Sequence, residues 1–188
     1  MCLVGEFEEA NASADGVLQE QHLSSKWKAP AASLYKLNTD AAFQGQRLGI
    51  GGILRDEEGA AVVVYCSTEN GRVNVAVGEA FAIRASLKTA MAAGFRNFIL
   101  ETDNIRLFHH LKKSFISPCY FGNLVKDILI LASSCQSCDF SFGRKSGNFV
   151  AHSLAKLSFS FSDYRVWLEE YPPKYQGALR NDIESLVI

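Results

Sequence analysis

Between Tyr35 and Cys66 the chain passes through three strand-like runs separated only by turn chemistry, with no helical period among them. Tyr35, Leu37 and Thr39 alternate with Lys36, Asn38 and Asp40, the period of two that a strand shows when one face is buried. Gly49 to Arg55 reads as a second strand and Ala60 to Cys66 as a third. Asp56-Glu57-Glu58-Gly59 between them is turn chemistry, with Gly59 able to take positive φ. Strands connected this tightly are expected to form an antiparallel meander, which restricts everything that follows to packing on or beside that sheet.

The period then changes. From Glu79 to Ala93 apolar residues fall at Ile83, Leu87 and Met91, a helical stripe, and Gly94 is placed as its stop. Phe98 to Leu100 is a short apolar run suited to a central strand, and Asp103-Asn104 is an N-cap signal for a helix to about Lys113, ended by Ser117-Pro118. Phe121, Leu124, Val125, Ile128, Leu129 and Ala132 mark another helix, Cys138, Phe140 and Phe142 a last strand, and Asn148 to about Ser158 a final helix. The order β-β-β-α-β-α-α-β-α predicts an α/β domain whose mixed sheet is covered by helices. Residues 1–30 read as a loosely ordered leader, 31–160 as the domain, and 161–188 as a tail whose Trp167 and Tyr171-Pro172-Pro173 dock on it.

At 188 residues and 48% hydrophobic content the chain suffices for one buried core. Nineteen basic against twenty acidic residues remove the argument that a basic protein seeks nucleic acid, so any such binding must come from a local patch. Five cysteines, an odd number, fit a reducing compartment better than a disulfide framework. Cys135 and Cys138 have metal-ligand spacing but no second cluster to complete a zinc site, and read as buried thiols. The first residues carry no basic stretch before an apolar run, and no segment approaches the roughly 20 apolar residues of a membrane span, so a nuclear or cytoplasmic location without a secretory signal is expected.

Three acids stand at the ends of predicted elements: Asp40 after Tyr35-Lys36-Leu37-Asn38-Thr39, Glu79 before Ala80-Phe81-Ala82-Ile83, and Asp103 after Phe98-Ile99-Leu100-Glu101-Thr102. Carboxylates fed to one point from separate elements are what oxygen-preferring divalent ions require, and such ions can clamp a phosphodiester. Each acid also has a plainer reading: Asp103 as a helix cap, Glu79 as a first-turn partner of the helix dipole, Asp40 as a strand-end acid. Glu79 and Ile83 lie four residues apart and share a face, which aims the carboxylate at the sheet. Facing other carboxylates there, it would be repelled unless a cation sat between them.

With the elements in order, Trp27-Lys28-Ala29-Pro30, Lys36-Leu37-Asn38-Thr39-Asp40-Ala41-Ala42, Gly51-Gly52-Ile53-Leu54-Arg55-Asp56, Gly78-Glu79-Ala80, Glu101-Thr102-Asp103 and Asn148-Phe149-Val150-Ala151-His152-Ser153-Leu154-Ala155 together resemble the plant-type ribonuclease H-like domain. That family is related to retrotransposon reverse transcriptases, and the resemblance runs from about residue 27 to 158. It implies a five-stranded mixed sheet and hydrolysis of the RNA strand of RNA–DNA hybrids with Mg²⁺ held by four carboxylates. Three of these fall on Asp40, Glu79 and Asp103, while the fourth position holds His152. Imidazole suits Mn²⁺ better than Mg²⁺ and brings no negative charge, so one ion site is expected to be weakened; His152 is either a weak fourth ligand or a proton-transfer residue.

Asn38, Arg144, Lys145 and Asn148 are the expected contacts to nucleic acid, with Arg47, Lys112 and Lys113 more remote. Gly49-Ile50-Gly51-Gly52 is expected to allow close approach of a nucleic-acid strand, and His109 and His110 to be structural. Two other functions stay open. One is a module of the same fold that binds hybrid or double-stranded nucleic acid without turnover, and the other is a protein-interaction domain using Trp167 and Tyr171. No Gly-x-Ser-x-Gly elbow, His-Glu-x-x-His helix or Walker loop is present.

Overall fold

The meander is formed by β1 (Tyr35–Gln44), β2 (Arg47–Arg55) and β3 (Ala61–Asn70), each antiparallel to the next. The structure, a computed structural model, describes residues 26–169 and Gly177. Most of the expected leader and Tyr171-Pro172-Pro173 therefore lie outside the described residues. Asp56 closes the β2–β3 turn as its residue type suggests, its Oδ1 accepting from the backbone N–H groups of Glu58 and Ala60, and Gly59 takes φ +83°.

Next come α1 (Val75–Ala92), β4 (Asn97–Thr102), α2 (Ile105–Lys112), α3 (Tyr120–Ser133), β5 (Ser137–Phe142), α4 (Phe149–Leu157) and β6 (Arg165–Leu168). A single turn of 3₁₀ helix, Lys145–Asn148, leads into α4. The sheet order is β5-β4-β1-β2-β3-β6, with β1, β4 and β5 mutually parallel and β6 antiparallel to β3. The mixed α/β architecture is as expected, but the sheet has six strands rather than five. The extra strand comes from the predicted tail, where four residues, too few to show a period, extend the edge of the meander.

Helix α1 starts four residues before the predicted Glu79 because Asn74 caps it, its Oδ1 accepting from Val77 N–H at 2.9 Å. It ends as the sequence suggests: Gly94 at φ +99° donates its N–H to Met91 O, and Phe95 N–H reaches Ala90 O. One sheet face, through Leu37, Leu54 and Leu100, packs against α1, α2 and α3, which contribute Ile83, Leu87, Leu107, Leu111, Leu124 and Ile128. The other face, through Ile53 and Val64, meets Val150, Ala151 and Leu154 of α4, and Trp167 of β6 packs beside them. Among the described residues no helix is long and apolar enough to cross a membrane.

The glycines of β2 serve a different neighbour from the one expected. A Cβ on Gly51 would lie 2.3 Å from Ala155 N and 2.4 Å from Ala151 O, and one on Gly49 2.3 Å from Ala155 O. On the opposite face a Cβ on Gly52 would meet the Ser86 side chain of α1. The run therefore admits helix backbone, not nucleic acid, and lets α4 lie directly on the sheet with His152 carried at a fixed height. Gly51→Ala should cost about 3 kcal/mol of stability in urea unfolding, because the obstructing atoms are backbone and cannot turn aside. Lys112→Ala, at an exposed site, should stay within about 0.5 kcal/mol of the parent.

Candidate functional site

The parallel ladder between β1 and β4 ends at the pair Asn38–Glu101. Asp40 and Asp103 each lie two residues beyond that pair, so strand alternation returns both to the face that Asn38 and Glu101 occupy. The end of the ladder is tied by side chains. Asn38 Nδ2 donates to Glu101 Oε1 at 3.0 Å, and Asn38 Oδ1 accepts from Trp27 Nε1 at 2.8 Å and from Arg55 Nη2 at 3.1 Å. Lys36 Nζ pairs with Glu101 Oε2 at 3.1 Å, and the Arg55 guanidinium lies 3.7 Å from the centre of the Trp27 ring. Asn38, expected to touch nucleic acid, is instead buried and its amide fully engaged in this network. Trp27, from the end of the expected leader, is a core residue.

Above this network the three acids converge. One ligand oxygen from each of Asp40, Glu79 and Asp103 lies within 4.8 Å of the others. The plain reading of Asp103 as a helix cap fails, because Asn104 caps α2 by accepting from Leu107 N–H at 3.0 Å, leaving the Asp103 carboxylate outside the cap. Glu79 does not serve the first turn of α1 either: the helix begins at Val75, which places Glu79 in the second turn. Asp40 Oδ1 accepts from Ala41 N–H, and Asp40 Oδ2 lies 2.6 Å from His152 Nδ1. The histidine thus joins the cluster through Asp40, and its ring lines the same cleft. Asn148, another expected nucleic-acid contact, is buried and donates from Nδ2 to Thr39 O at 2.9 Å, bracing β1 against the start of α4.

Such crowding has an electrostatic cost that is visible in the acids. Burial, then the charge of Asp40, a hydrogen bond with it and the charge of Asp103, push the Glu79 carboxyl up to about 10. Asp103 is also raised, by burial and by Asp40, with Lys145 and the Asn148 amide opposing the shift. Glu79 Oε2 is buried and has no hydrogen-bond partner. A buried carboxyl with one unpartnered oxygen, within reach of two further acids, fits a hard, oxygen-seeking cation such as Mg²⁺ or Mn²⁺. The first residues of α1, α2 and α4, namely Val75, Ile105 and Phe149, line the cleft as well, so the positive ends of three helix dipoles lie at the negative charge.

The cleft has a volume of about 530 Å³, and among the described residues Lys145 is the one lysine or arginine on its wall. Arg144 is exposed but outside that lining, Arg47 stacks on Phe159, and Lys112 and Lys113 are exposed at the end of α2. His110 is structural as expected, its Nδ1 2.9 Å from Phe115 O, and His109 lies beside the Phe108 ring. Cys135 and Cys138 are half-buried rather than buried as expected, and the burial they have raises the Cys138 thiol to about 12 and also raises Cys135, which keeps both protonated. Sequence reasoning missed the cleft's apolar wall: Phe43, Val75, Ile105 and Phe149. Ile105 and Phe149 had a positional signal, since each follows a predicted helix start, whereas Val75 lies before the predicted start of its helix.

A family model described as "Reverse transcriptase-like" matches residues 38–158. Among solved structures, ribonuclease H1 from the halophilic archaeon Halobacterium salinarum is similar with a TM-score of 0.62 at 19% identity, over 68% of this chain and 98% of that one. An N-terminal ribonuclease H domain from Mycobacterium tuberculosis is similar at TM-score 0.58 and 14% identity, over 67% and 96%. LC11 ribonuclease H1, isolated from compost by a metagenomic approach, is similar in its complex with an RNA/DNA hybrid at TM-score 0.58 and 15% identity, over 64% and 92%. At these identities the likeness establishes the fold. Among curated protein sequences none matches this chain.

The protonation of Glu79 sets a pH dependence. The folded chain keeps this proton up to about pH 10 whereas the unfolded carboxyl loses it near 4.5, so folding takes up a proton across that window and stability falls as pH rises through it. Glu79→Gln removes the ionisation. In a chelator-containing buffer the variant should gain on the order of 1–3 kcal/mol over wild type at pH 8, with a smaller difference at pH 5, read by urea unfolding at the two pH values.

Proposed function

We propose that this chain, which belongs to the reverse transcriptase-like family, is a metal-dependent endonuclease that hydrolyses the RNA strand of RNA–DNA hybrids. The observation that carries the reading is the convergence of Asp40, Glu79 and Asp103, with ligand oxygens within 4.8 Å, on a cleft where Glu79 Oε2 has no other partner. These three residues would hold the cation. Mg²⁺ or Mn²⁺ there supplies charge neutralisation at a phosphodiester and lowers the pKa of water. The hybrid held by LC11 ribonuclease H1, a protein of the same fold, supports that substrate class.

The chain's own groups have separable tasks. Lys145 on the cleft wall draws a phosphate toward the acids, a contact that positions the backbone without reading sequence. His152, partly exposed and bonded to Asp40, holds a proton at the cleft and orients that carboxylate. Asn148 fixes Thr39, the residue before Asp40, so the acid is positioned from both sides. A histidine in place of a fourth acid also favours a second reading, a nucleic-acid-binding module with weak turnover. Imidazole brings no negative charge to hold a second cation.

Incubating the full chain with a labelled hybrid in Mg²⁺ and in Mn²⁺ separates the two. Cleavage is expected in both, faster in Mn²⁺. Asp103→Asn should lower the rate about 100-fold or more, and His152→Asp should raise the Mg²⁺ rate about tenfold. Hybrid binding with no cleavage by wild type or by His152→Asp would leave the binding module as the function.

A further inference from the structure

The acids lie at the bottom of a cleft whose upper wall is apolar. Among the described residues eleven large hydrophobic side chains are exposed, and four of them, Phe43, Val75, Ile105 and Phe149, meet on this one cleft. Single exposed apolar residues are ordinary, but a cluster converging on a charged site is not. Each stands beside a residue of the acidic cluster. Val75 precedes Glu79 by four residues on α1 and Phe149 precedes His152 by three on α4, spacings that put the members of each pair on one helix face. Phe43 follows Asp40 by three residues on β1, which turns it to the opposite face, against Gly78 of α1 beside Glu79, and Ile105 follows Asp103 by two.

The Phe43 ring is seated rather than loose. A Cβ on Gly78, the residue before Glu79, would lie 2.7 Å from Phe43 Cζ, so the missing side chain of Gly78 is the notch that receives the ring. Phe43 nonetheless keeps 44% of its surface exposed and Phe149 56%, which leaves aromatic surface at the cleft unused within the chain.

A ligand that fits must offer an anionic group to the acids and their cation, and a planar group to the rings that line the same cleft. A nucleotide has both. In a continuous duplex the bases face inward, and the outer surface that would reach the rings is phosphate and sugar, whose water would be lost against phenylalanine without a hydrogen bond in return. An unpaired base has a free face, and aromatic side chains take such bases by stacking whatever their sequence.

Building on the nuclease reading above, we infer that the cleft takes an unpaired nucleotide, such as one at a bulge or a strand end, with its base against Phe43 and Phe149. The substrate class is thereby narrowed from hybrid in general to RNA carrying an unstacked residue at the cut.

The test measures the affinity of the full chain, in Ca²⁺, for three fluorescent ligands of one sequence: a continuous RNA–DNA hybrid, the same hybrid with one unpaired RNA nucleotide at its centre, and the free RNA strand. Cleavage of the two hybrids in Mn²⁺ is then mapped. The bulged hybrid should bind about tenfold more tightly than the continuous one and be cut next to the unpaired residue. Phe149→Ala and Phe43→Ala should each remove most of that tenfold preference, and Phe149→Tyr should retain it. Equal affinity and cutting for both hybrids, or a preference that survives both alanine variants, would overturn the inference while leaving the nuclease reading intact. Failure to bind or cut any of the three would overturn both.

Discussion

The pairing of Asn38 with Glu101 at the end of the β1–β4 ladder is the constraint on which the site rests. The ladder between these parallel strands ends at this pair while β1 runs on beside β2, so the next residues on the same face, Asp40 and Asp103, come to one place, and a slip of one residue between the strands would turn one acid away from the other. Backbone hydrogen bonds alone hold register weakly at a ladder's end. Here the register is also fixed by a buried polar network in which Asn38 accepts from Trp27 and Arg55 and donates to Glu101, while Lys36 supplies the opposite charge. Such a network is costly unless satisfied, and when satisfied it specifies one arrangement. Its role explains how a strand can hold two acids against each other without drifting apart.

The third acid arrives from a different direction, and the helices settle its position. Asn74 sets the start of α1, so Glu79 comes one turn down the helix and points over the end of the sheet. The fourth member, His152, depends on glycine: α4 sits on β2 at backbone contact because Gly49 and Gly51 offer no side chain. The repulsion among the carboxylates is therefore borne by the scaffold, and it adds to burial, the larger cause, in raising the Glu79 carboxyl. A cation bound there would relieve the same repulsion by displacing the proton, which would link the cluster's electrostatic strain to metal affinity.

What the sequence disclosed and what it hid divide by range. The turn at Asp56–Gly59 and the helix stop at Gly94 were legible because each depends on a few neighbouring residues. The three acids were legible as a set because each follows or opens an apolar run of its own, although Asp40 proves to lie within β1 and Glu79 in the second turn of α1. The start of α1 was not, since Val75-Ala76-Val77-Gly78 mixes β-branched residues with glycine and conceals the cap at Asn74. Between the adjacent candidates Asp103 and Asn104 local preference does not choose, and the fold gives the cap to Asn104. Asn38 and Asn148 look like surface amides in a sequence; their burial follows from what Trp27, Arg55 and Thr39 require of them, which is tertiary information. The partner of the β2 glycines and the pairing of β6 with β3 are of the same kind.

The central claim is that folding gathers three carboxylates into a cation site whose entry displaces a proton from Glu79. Calorimetric titration of the full chain with Mn²⁺ at pH 8, repeated in buffers of different ionisation enthalpy, counts both the ions bound and the protons released. The account predicts binding accompanied by release of about one proton, with the proton lost from the balance and the affinity reduced in Glu79→Gln. Binding that is absent at millimolar Mn²⁺, or that proceeds unchanged in Glu79→Gln, would contradict it.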